Sequence, residues 1–247
     1  MNFFAAMADS IRQSLTPCIL CHSPSQYGLC QACQNHIANT QAPRCHCCGN
    51  LLTQAVQSSE PLCGDCLKDT PAFDATITVT DFVPPVDQMV HMLKFQHRLA
   101  AAPVMGRLLY QAMTDRHIQP NLLTAVPLSR ERLAERGFNQ SHEIARTLGR
   151  LLKTAPQRSL LHRVRDTERQ SDIALQARKK NVHQAFAVSD EGKALVKGRH
   201  IAVVDDVMTT GSTLDEVAKV LKQAGAAQVT NLVFARTPKH LTGNTYV

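Results

Sequence analysis

Near its carboxyl terminus the chain reads His200-Ile201-Ala202-Val203-Val204-Asp205-Asp206-Val207-Met208-Thr209-Thr210-Gly211-Ser212-Thr213. The apolar and largely β-branched start of this segment, residues 200–204, is typical of a strand that is buried on both faces of a sheet. Residues 212–224 place apolar side chains on one helical face and end before Gly225, which predicts a helix. The segment therefore predicts a strand, an acidic pair, a hydroxyl-rich turn and a helix in unbroken order.

The acidic pair and the turn suit the two ends of a phosphorylated ribose. Carboxylates such as Asp205 and Asp206 accept hydrogen bonds from vicinal hydroxyls, directly or through Mg²⁺. The hydroxyls of the turn, the backbone N–H groups around Gly211 and the positive end of the following helix favour a phosphate dianion. Each residue alone would be ordinary in a loop or a helix cap, so the prediction depends on their order. The segment lacks the lysine of a P-loop, which argues against a nucleoside triphosphatase.

Strands and helices alternate on the amino-terminal side of this motif and continue after it. The sequence pattern predicts strands at residues 75–80, 122–128, 185–189 and 228–234, and helices at residues 86–99, 102–116, 139–153 and 178–184. Such alternation favours an α/β fold with a mostly parallel sheet and helices on both of its faces. Ligands are then expected beyond the carboxyl ends of the strands.

A basic segment overlaps the end of the strand predicted at 122–128. It reads Val126-Pro127-Leu128-Ser129-Arg130-Glu131-Arg132-Leu133-Ala134-Glu135-Arg136-Gly137-Phe138-Asn139-Gln140. In this position three arginines would present guanidinium groups near the carboxyl edge of the sheet, where they could clamp a pyrophosphate. By itself the segment is better interpreted as a solvated helix face in which Glu131 and Glu135 pair with the arginines. Next to the acidic motif, the pyrophosphate clamp is the better interpretation.

Residues 201–213 closely resemble the signature by which type I phosphoribosyltransferases bind 5-phosphoribosyl-1-pyrophosphate (PRPP). Residues 126–140 resemble the pyrophosphate loop of the competence protein F (ComF) and GntX family, and the resemblance spans the chain from Cys18 to Arg236. It implies a type I phosphoribosyltransferase-like fold behind an N-terminal double zinc ribbon, with PRPP as the ligand. The positions that the resemblance implies are Asp205 and Asp206 for the ribose and Mg²⁺, Thr209, Thr210, Gly211, Ser212 and Thr213 for the 5-phosphate, and Ser129, Arg130, Arg132, Arg136, Gly137, Phe138, Asn139 and Gln140 for the pyrophosphate.

Weaker family-like positions lie outside these two segments. The chain departs from the family at residues 95–98, Phe-Gln-His-Arg, where the family has small residues after a lysine and an aromatic residue. That departure argues against a direct role for the preceding lysine. The weaker positions are Lys94, Arg165, Thr167, Gln170, Leu175, Arg178, Asn181 and Phe186.

Eight of the nine cysteines form four Cys-x-x-Cys pairs. The two-residue spacing lets both sulfurs of a pair reach one ion, and zinc is the metal expected at two closed Cys₄ sites, to which no catalysis is assigned. The short intervening loops favour sequential pairing of the four knuckles, although an interleaved arrangement stays open. Cys47, His22, His36 and His46 are interpreted as non-ligands. The predicted ligands are Cys18, Cys21, Cys30, Cys33, Cys45, Cys48, Cys63 and Cys66.

The chain of 247 residues is long enough for one full α/β domain and a smaller module. The cysteine-rich part has little helical or strand periodicity, and two structural zinc ions, each contributing about 10–16 kcal/mol of apparent binding energy, would organise it. We therefore predict a zinc-ribbon module at residues 1–70 and a phosphoribosyltransferase-like domain at 71–247. Residues 1–15 hold only short apolar runs, so neither a membrane span nor a secretory signal is predicted. Metal-type cysteine spacing favours a reducing compartment, which predicts a cytoplasmic protein.

Positive charge is concentrated in one part of the chain. The formal net charge of +7 counts every cysteine as neutral, and two filled Cys₄ sites would lower it to about +3. Residues 1–70 hold three Lys or Arg against four Asp or Glu, whereas residues 130–180 hold thirteen against six. An anionic ligand is therefore expected on the larger domain and not on the zinc module.

Two classes of function remain open on the sequence alone. One is an enzyme that transfers the 5-phosphoribosyl group of PRPP to an unknown acceptor and releases pyrophosphate. The other is a non-catalytic, PRPP-regulated DNA-binding or adaptor protein organised by zinc. The family resemblance implies natural transformation and the handling of incoming single-stranded DNA, with competence or DNA-processing proteins as further partners. Aromatic residues make up only 4% of the chain, with no Trp, which disfavours a stacking platform for single strands.

Overall fold

The computed structural model describes residues 16–38, 43–52, 58–165 and 181–238. Its first part contains strands β1 (Thr16–Pro17) and β2 (Pro24–Ser25), which pair antiparallel, and helices α1 (Gln31–Ala38) and α2 (Gly64–Lys68). The second part contains, in order, β3 (Ala75–Asp81), α3 (Val86–Phe95), α4 (Ala101–Thr114), β4 (Leu122–Ala125), α5 (Arg130–Arg136), α6 (Gln140–Leu152), β5 (Leu161–Arg163), β6 (Phe186–Val188), α7 (Asp190–Val196), β7 (His200–Met208), α8 (Ser212–Gln223) and β8 (Gln228–Arg236).

The central sheet is four-stranded and entirely parallel, with the strand order β3-β8-β7-β4. A separate antiparallel hairpin is formed by β5 and β6. The predicted α/β class with a parallel sheet is therefore confirmed. Because all four strands run the same way, their carboxyl ends meet at one edge, where Asp81, Ala125, Met208 and Arg236 end their strands.

Alternate residues of the strands supply two hydrophobic clusters, one on each face of the sheet. In β7, Ala202 and Val204 pack into the cluster that contains side chains of α3, α4 and α6. Ile201 and Val203 pack into the opposite cluster, which contains the apolar face of α8. All four side chains are fully buried, and complete burial of such a side chain stabilises the fold by about 1.5–3 kcal/mol for Val or Ile. The prediction of helices on both faces is confirmed.

Several element boundaries differ from the sequence prediction. Strand β7 continues through the acidic pair to Met208, beyond the apolar run, because its pairing with β8 extends to the register Met208↔Arg236. Strand β4 ends at Ala125, where its pairing with β7 ends. Helix α3 ends at Phe95, and His97 adopts a left-handed backbone with φ 53. The helix predicted at 178–184 begins outside the described residues, and within them only residues 181–182 are helical.

The cysteine-rich part packs directly on the central sheet. Its few apolar side chains, among them Ile19, Leu29 and Ile37, join the cluster of α4. Cys47 joins the opposite cluster together with Phe73. This explains why the segment shows so little periodicity of its own, since the larger part of the chain supplies its core. The division into a module at 1–70 and a domain at 71–247 remains a prediction. Side chains from both parts pack together in each of the two hydrophobic clusters.

Membrane insertion is not indicated by any helix in the described ranges, because none of them combines the length and the hydropathy that a bilayer span requires.

Candidate functional site

The acidic pair lies near the carboxyl end of β7, and each carboxylate has defined partners. Asp205 accepts a hydrogen bond on Oδ1 from Ser141 Oγ at 2.8 Å and from the backbone N–H of Asp206 at 2.9 Å. Asp206 accepts on Oδ1 from the N–H of Val207 at 2.8 Å. Its other oxygen, Oδ2, lies 2.7 Å from Lys94 Nζ at the end of α3. The pair is thus fixed by α3 on one side and by the start of α6 on the other.

Burial sets the ionisation of this pair. Removal from water raises the pKa of Asp205 to about 7, and the charge of Asp206 acts in the same direction. Hydrogen bonding from Ser141 and the charge of Lys94 oppose the shift. A divalent cation beside the pair would reverse it, because a positive charge favours the ionised carboxylate. The geometry therefore suits a site that gains its second negative charge when a cationic ligand arrives.

Lys94 is brought to the acidic pair despite the unusual residues that follow it. The family departure at residues 95–98 argued against a direct role for this lysine, but the helix ends at Phe95 and leaves Lys94 in its last turn. Its side chain is 22% exposed, so the ion pair with Asp206 is largely shielded from water. The signal that sequence reasoning undervalued was a lysine in the last turn of an apolar helix.

The turn that follows β7 has the shape of an anion site. Gly211 has a left-handed backbone with φ 87, and a Cβ at this position would lie 2.5 Å from Met208 Cε. Thr210 Oγ1 lies 2.9 Å from Ser212 Oγ and accepts the N–H of Ser212 at 3.3 Å. Helix α8 starts at Ser212 with Gly211 as its N-cap residue, which has no side chain to cap the helix. The positive end of a twelve-residue helix therefore opens onto a hydroxyl-lined turn.

The basic segment that the sequence presents as a pyrophosphate loop is partly a helix. Ser129 accepts the N–H of Arg132 at 3.3 Å and starts α5, and Gly137, with φ 74, ends it. The interpretation of this segment as a helix is therefore correct for Arg130–Arg136. Arg130 is exposed at the first position of the helix, whereas Arg132 and Arg136 are half-buried.

Several of the family-like positions after α5 shape the backbone. Asn139 caps α6 by accepting the N–H of His142 at 3.2 Å, and its Nδ2 donates to the carbonyl of Val126 at 2.9 Å. Gln140 is buried and its Oε1 accepts from Arg136 at 2.7 Å. The guanidinium of Arg136 also lies 5.7 Å from the centre of the Phe95 ring. These contacts fix the course of the chain between β4 and α6.

A cleft of about 980 Å³ opens beside the end of β4, between α5, α6 and the β5–β6 hairpin. Its charged lining consists of three arginines, Arg130, Arg158 and Arg163, and one glutamate, Glu143, so positive charge is in excess. His142 contacts Arg158 there, and burial together with the charge of Arg158 lowers the histidine pKa. Sequence reasoning gave no role to His142 or Arg158. The cleft fits an anionic ligand.

Only some of the family-like residues around the hairpin lie within the described ranges. Arg165 donates to the carbonyls of Asn181 and His183 at 2.9 and 2.7 Å. Phe186 lies in β6, with the guanidinium of Arg163 at 5.3 Å from its ring centre. The remaining positions fall outside the described residues, and they are Thr167, Gln170, Leu175 and Arg178.

The cysteines form two groups of four that fit zinc. One group contains the first two knuckles and the other the last two, and within each group all sulfurs lie within 4.8 Å of one another. The Sγ atoms of Cys21 and Cys30 are 3.5 Å apart, and those of Cys48 and Cys63 are 3.7 Å apart. A tetrahedral zinc ion with Zn–S bonds near 2.3 Å requires about 3.8 Å between sulfurs. Sequential pairing is confirmed, and the interleaved alternative is wrong.

Cys47 belongs to neither group. Its Sγ lies 3.8 Å from the carbonyl oxygen of Phe73, and burial raises the pKa of the thiol to about 11. The thiol is therefore protonated at neutral pH and packs as a small apolar side chain. The interpretation of Cys47 as a non-ligand agrees with this position.

Comparison with known proteins agrees with the geometry of both parts. The chain matches the double zinc ribbon domain over residues 15–70 and the phosphoribosyl transferase domain over residues 134–242. It is 36% identical over 228 residues to the DNA utilization protein YhgH of Escherichia coli, covering 89% of this chain and 96% of that protein. It is 32% identical over 220 residues to Competence protein F of Haemophilus influenzae, covering 86% and 93%.

More distant similarity extends to a further relative and to solved structures. The identity with Competence protein ComFC of Bacillus subtilis is 25% over 222 residues, covering 85% of this chain and 84% of the relative. A glutamine PRPP amidotransferase from B. subtilis is similar at 18% identity and a TM-score of 0.35, over 53% of this chain and 25% of that chain. With its double zinc ribbon and phosphoribosyltransferase-like domain, the chain belongs to the family of Competence protein F and the DNA utilization protein YhgH.

Proposed function

We propose that this protein binds PRPP together with Mg²⁺ at the carboxyl edge of its parallel sheet. The observation that supports this best is the acidic pair of β7 placed directly before a hydroxyl-lined turn and the N-terminus of α8, whose N-cap residue is a glycine. Ribose hydroxyls and Mg²⁺ need oxygen acceptors, which Asp205 and Asp206 offer. The 5-phosphate needs N–H and O–H donors, which residues 209–213 offer.

Each side chain of the site then has a part in holding the ligand. Lys94 neutralises Asp206 and keeps the pair from carrying two uncompensated charges in a buried place. Ser141 orients Asp205 through the hydrogen bond to its Oδ1. On the β4 side, Arg130, Arg132 and Arg136 supply the positive charge for the pyrophosphate, with Arg130 the most exposed of the three. Mg²⁺, when bound, would neutralise phosphate oxygens and strengthen the ionisation of Asp205.

We infer further that the protein transfers the 5-phosphoribosyl group to an acceptor. In this reaction the bond between the sugar C1 and the pyrophosphate oxygen breaks, a bond from C1 to the acceptor forms, and pyrophosphate leaves with the bonding electrons, while the proton that the acceptor loses passes to the leaving pyrophosphate or to water. Anchoring both phosphate ends and stabilising the developing charge suffice for such chemistry, so a separate base is not required by the geometry.

Consumption of PRPP tests the transfer directly. Phosphorus NMR of PRPP with Mg²⁺, the zinc-loaded protein and a panel of nucleobases and amines should show free pyrophosphate appearing with one acceptor. Asp206→Asn should abolish the signal. If PRPP binds but no pyrophosphate forms with any acceptor, the alternative holds, in which the protein is a non-catalytic module regulated by PRPP.

The names of the relatives point to a biological role. Proteins named for DNA utilization and competence share most of the length of this chain, and the basic cleft fits an anionic polymer. We therefore propose a role in natural transformation, in the handling of incoming single-stranded DNA, with competence or DNA-processing proteins as further partners. Zinc bound by reduced thiols favours the cytoplasm as the place of action.

A further inference from the structure

Arg236, the last residue of β8, connects the Cys45/Cys48 knuckle of the second zinc site to the turn after β7. Its Nε donates to the carbonyl of Cys48 at 3.0 Å. Its terminal nitrogen donates to the carbonyl of Met208 at 2.9 Å and also contacts the carbonyl of Thr209. The residue is 3% exposed. One buried guanidinium therefore holds the backbone of a metal ligand and the backbone of the proposed phosphate site.

The charge of Arg236 has a specific source of compensation. A guanidinium stays protonated in proteins, and a buried charge is costly unless it is paired. Within the described ranges no carboxylate forms an ion pair with Arg236, and its guanidinium lies against the second Cys₄ group, where it donates to the carbonyl of Cys48. Four thiolates around one zinc ion carry a net charge of −2. The filled second Cys₄ site is therefore the natural counter-charge of this arginine.

The contacts of Arg236 also determine how the turn presents its backbone. A trans peptide places its C=O and the following N–H on opposite sides. The two carbonyls that face Arg236 therefore turn the N–H groups of Thr209 and Thr210 away from it. Met208 is fixed a second time, because its carbonyl also accepts the N–H of Thr237 at 3.0 Å. An anion site needs N–H groups and repels carbonyl oxygens, so this orientation is the one a phosphate requires.

We propose that Arg236 is a positioning residue that couples the second zinc site to the phosphate-binding turn. Loss of metal from Cys45, Cys48, Cys63 and Cys66 removes the counter-charge and frees the knuckle backbone, so the turn loses its anchor and PRPP affinity falls. Linkage makes the effect reciprocal: bound PRPP must strengthen metal binding at this site. The inference rests on the proposed PRPP function and adds to it a metal dependence at a distance from the ligand.

The reciprocal effect is measurable in the wild-type protein without any substitution. The equilibrium transfer of zinc to a coloured chelator of known affinity is measured with and without saturating PRPP and Mg²⁺. One of the two zinc ions should be held about fivefold or more tightly when PRPP is bound, as expected for a typical coupling between sites. The other ion should be held with unchanged affinity. Equal protection of both ions, or of neither, while calorimetry shows PRPP bound, would overturn the coupling.

Variants separate the coupling from general stability. Arg236→Met should still bind two zinc ions, lose the protection by PRPP and bind PRPP about tenfold or more weakly, with Arg236→Lys between it and wild type. The matched control is Arg107→Met, because Arg107 of α4 donates to the carbonyl of Tyr27 in the first ribbon and forms no hydrogen bond with the turn among the described residues. That variant should keep both PRPP affinity and protection.

The outcomes distinguish this inference from the function on which it rests. If wild-type protein fails to bind PRPP, the proposed function and the coupling are both wrong. If PRPP binds and Arg236→Met matches wild type in affinity and in zinc protection, only the coupling is wrong. If Arg236→Met does not fold, the zinc-transfer experiment on wild-type protein still decides the question.

Discussion

Asp205 has an environment that opposes its own ionisation. Burial and the neighbouring Asp206 raise its pKa to about 7, whereas the pKa of an Asp in an unfolded chain is about 3.9. The folded state therefore binds the proton more tightly than the unfolded state. By linkage, the stability of the protein falls as pH rises from about 4 to about 7, because the folded protein must give up a proton that the unfolded chain has already lost. A residue kept at this cost is expected to serve a ligand.

Replacing this carboxylate by an amide should stabilise the protein. Asp205→Asn keeps an oxygen for the hydrogen bond from Ser141 and removes the buried charge. At pH 8 full linkage would amount to about 4 kcal/mol. Because the Asp205 side chain is only half-buried, we expect about 1–2 kcal/mol of added stability, or about 2–8 °C in Tm for a chain of this size, and no difference near pH 4. Thermal unfolding across this pH range measures the effect. The control is Asp190→Asn, an exposed carboxylate that pairs with Lys193 and whose pKa is lowered. A lower Tm for Asp205→Asn than for wild type at pH 8 would contradict this prediction, because it would mean that the ionised carboxylate is stabilised in the folded protein.

At the scale of elements, the turn between β7 and α8 depends on one glycine. Gly211 combines a left-handed φ of 87 with a neighbour, Met208 Cε, that would lie 2.5 Å from an added Cβ. Gly198 has a similar φ of 71, but nothing lies within 4 Å of its would-be Cβ. An alanine at Gly198 would therefore add backbone strain alone, whereas an alanine at Gly211 would also clash with Met208 and change the shape of the turn.

Alanine at these two positions should have different consequences. Gly211→Ala and Gly198→Ala should each lower the free energy of unfolding by about 1 kcal/mol or more through the left-handed backbone. Only Gly211→Ala should also displace the turn and weaken PRPP binding by at least about tenfold. Calorimetry with PRPP on both variants checks the difference. Equal affinity of the two variants would mean that the turn does not bind the ligand.

The sequence predicts the elements of the sheet better than the contacts at its edge. The apolar runs of β3, β7 and β8 and the amphipathic face of α8 identify strands and helix because burial on the sheet requires them. Helix α5 gives little periodic signal because five of its seven residues are charged and none is buried, and only Ser129 and Gly137 mark its ends. Lys94 and Arg236 reach the site by tertiary placement, since their partners lie far away in the sequence. Periodicity records which face is buried and carries no signal for such pairs.

At the scale of the whole molecule, the zinc ribbon is part of the wall around the sheet edge. Arg44, beside the first ligand of the second site, forms a buried ion pair at 2.8 Å with Asp81 at the end of β3. The backbone N–H of Ala72 donates to Asp215 of α8 at 2.8 Å. A cleft of about 380 Å³ lies between the second zinc site, at Cys48 and Cys66, and the turn after β7. The zinc module therefore borders the proposed ligand site and adds no basic surface to it.

The placement of charge predicts where single-stranded DNA would bind. Arg163 stacks on Phe186 and Arg165 holds the hairpin through two carbonyls, so charge reversal at either residue would also disturb the fold. Arg130, exposed in the basic cleft, is the better probe. Arg130→Glu should weaken binding and reduce the slope of log affinity against log salt by about 0.7.

Its charge-matched control is Lys68→Glu, which changes an exposed lysine of the zinc module. That variant should bind single strands as wild type does in a salt titration. If Lys68→Glu weakens binding as much as Arg130→Glu does, the nucleic-acid site lies on the zinc module.

The proposal that the acidic pair binds PRPP is tested most directly by isothermal calorimetry. The zinc-loaded protein is titrated with PRPP at pH 8, where Asp205 is ionised. We expect binding in the micromolar range with Mg²⁺ and no binding when Mg²⁺ is omitted. Asp205→Asn and Asp206→Asn should each abolish binding under conditions where Asp190→Asn binds normally. Unchanged affinity in both variants of the pair would contradict the proposal.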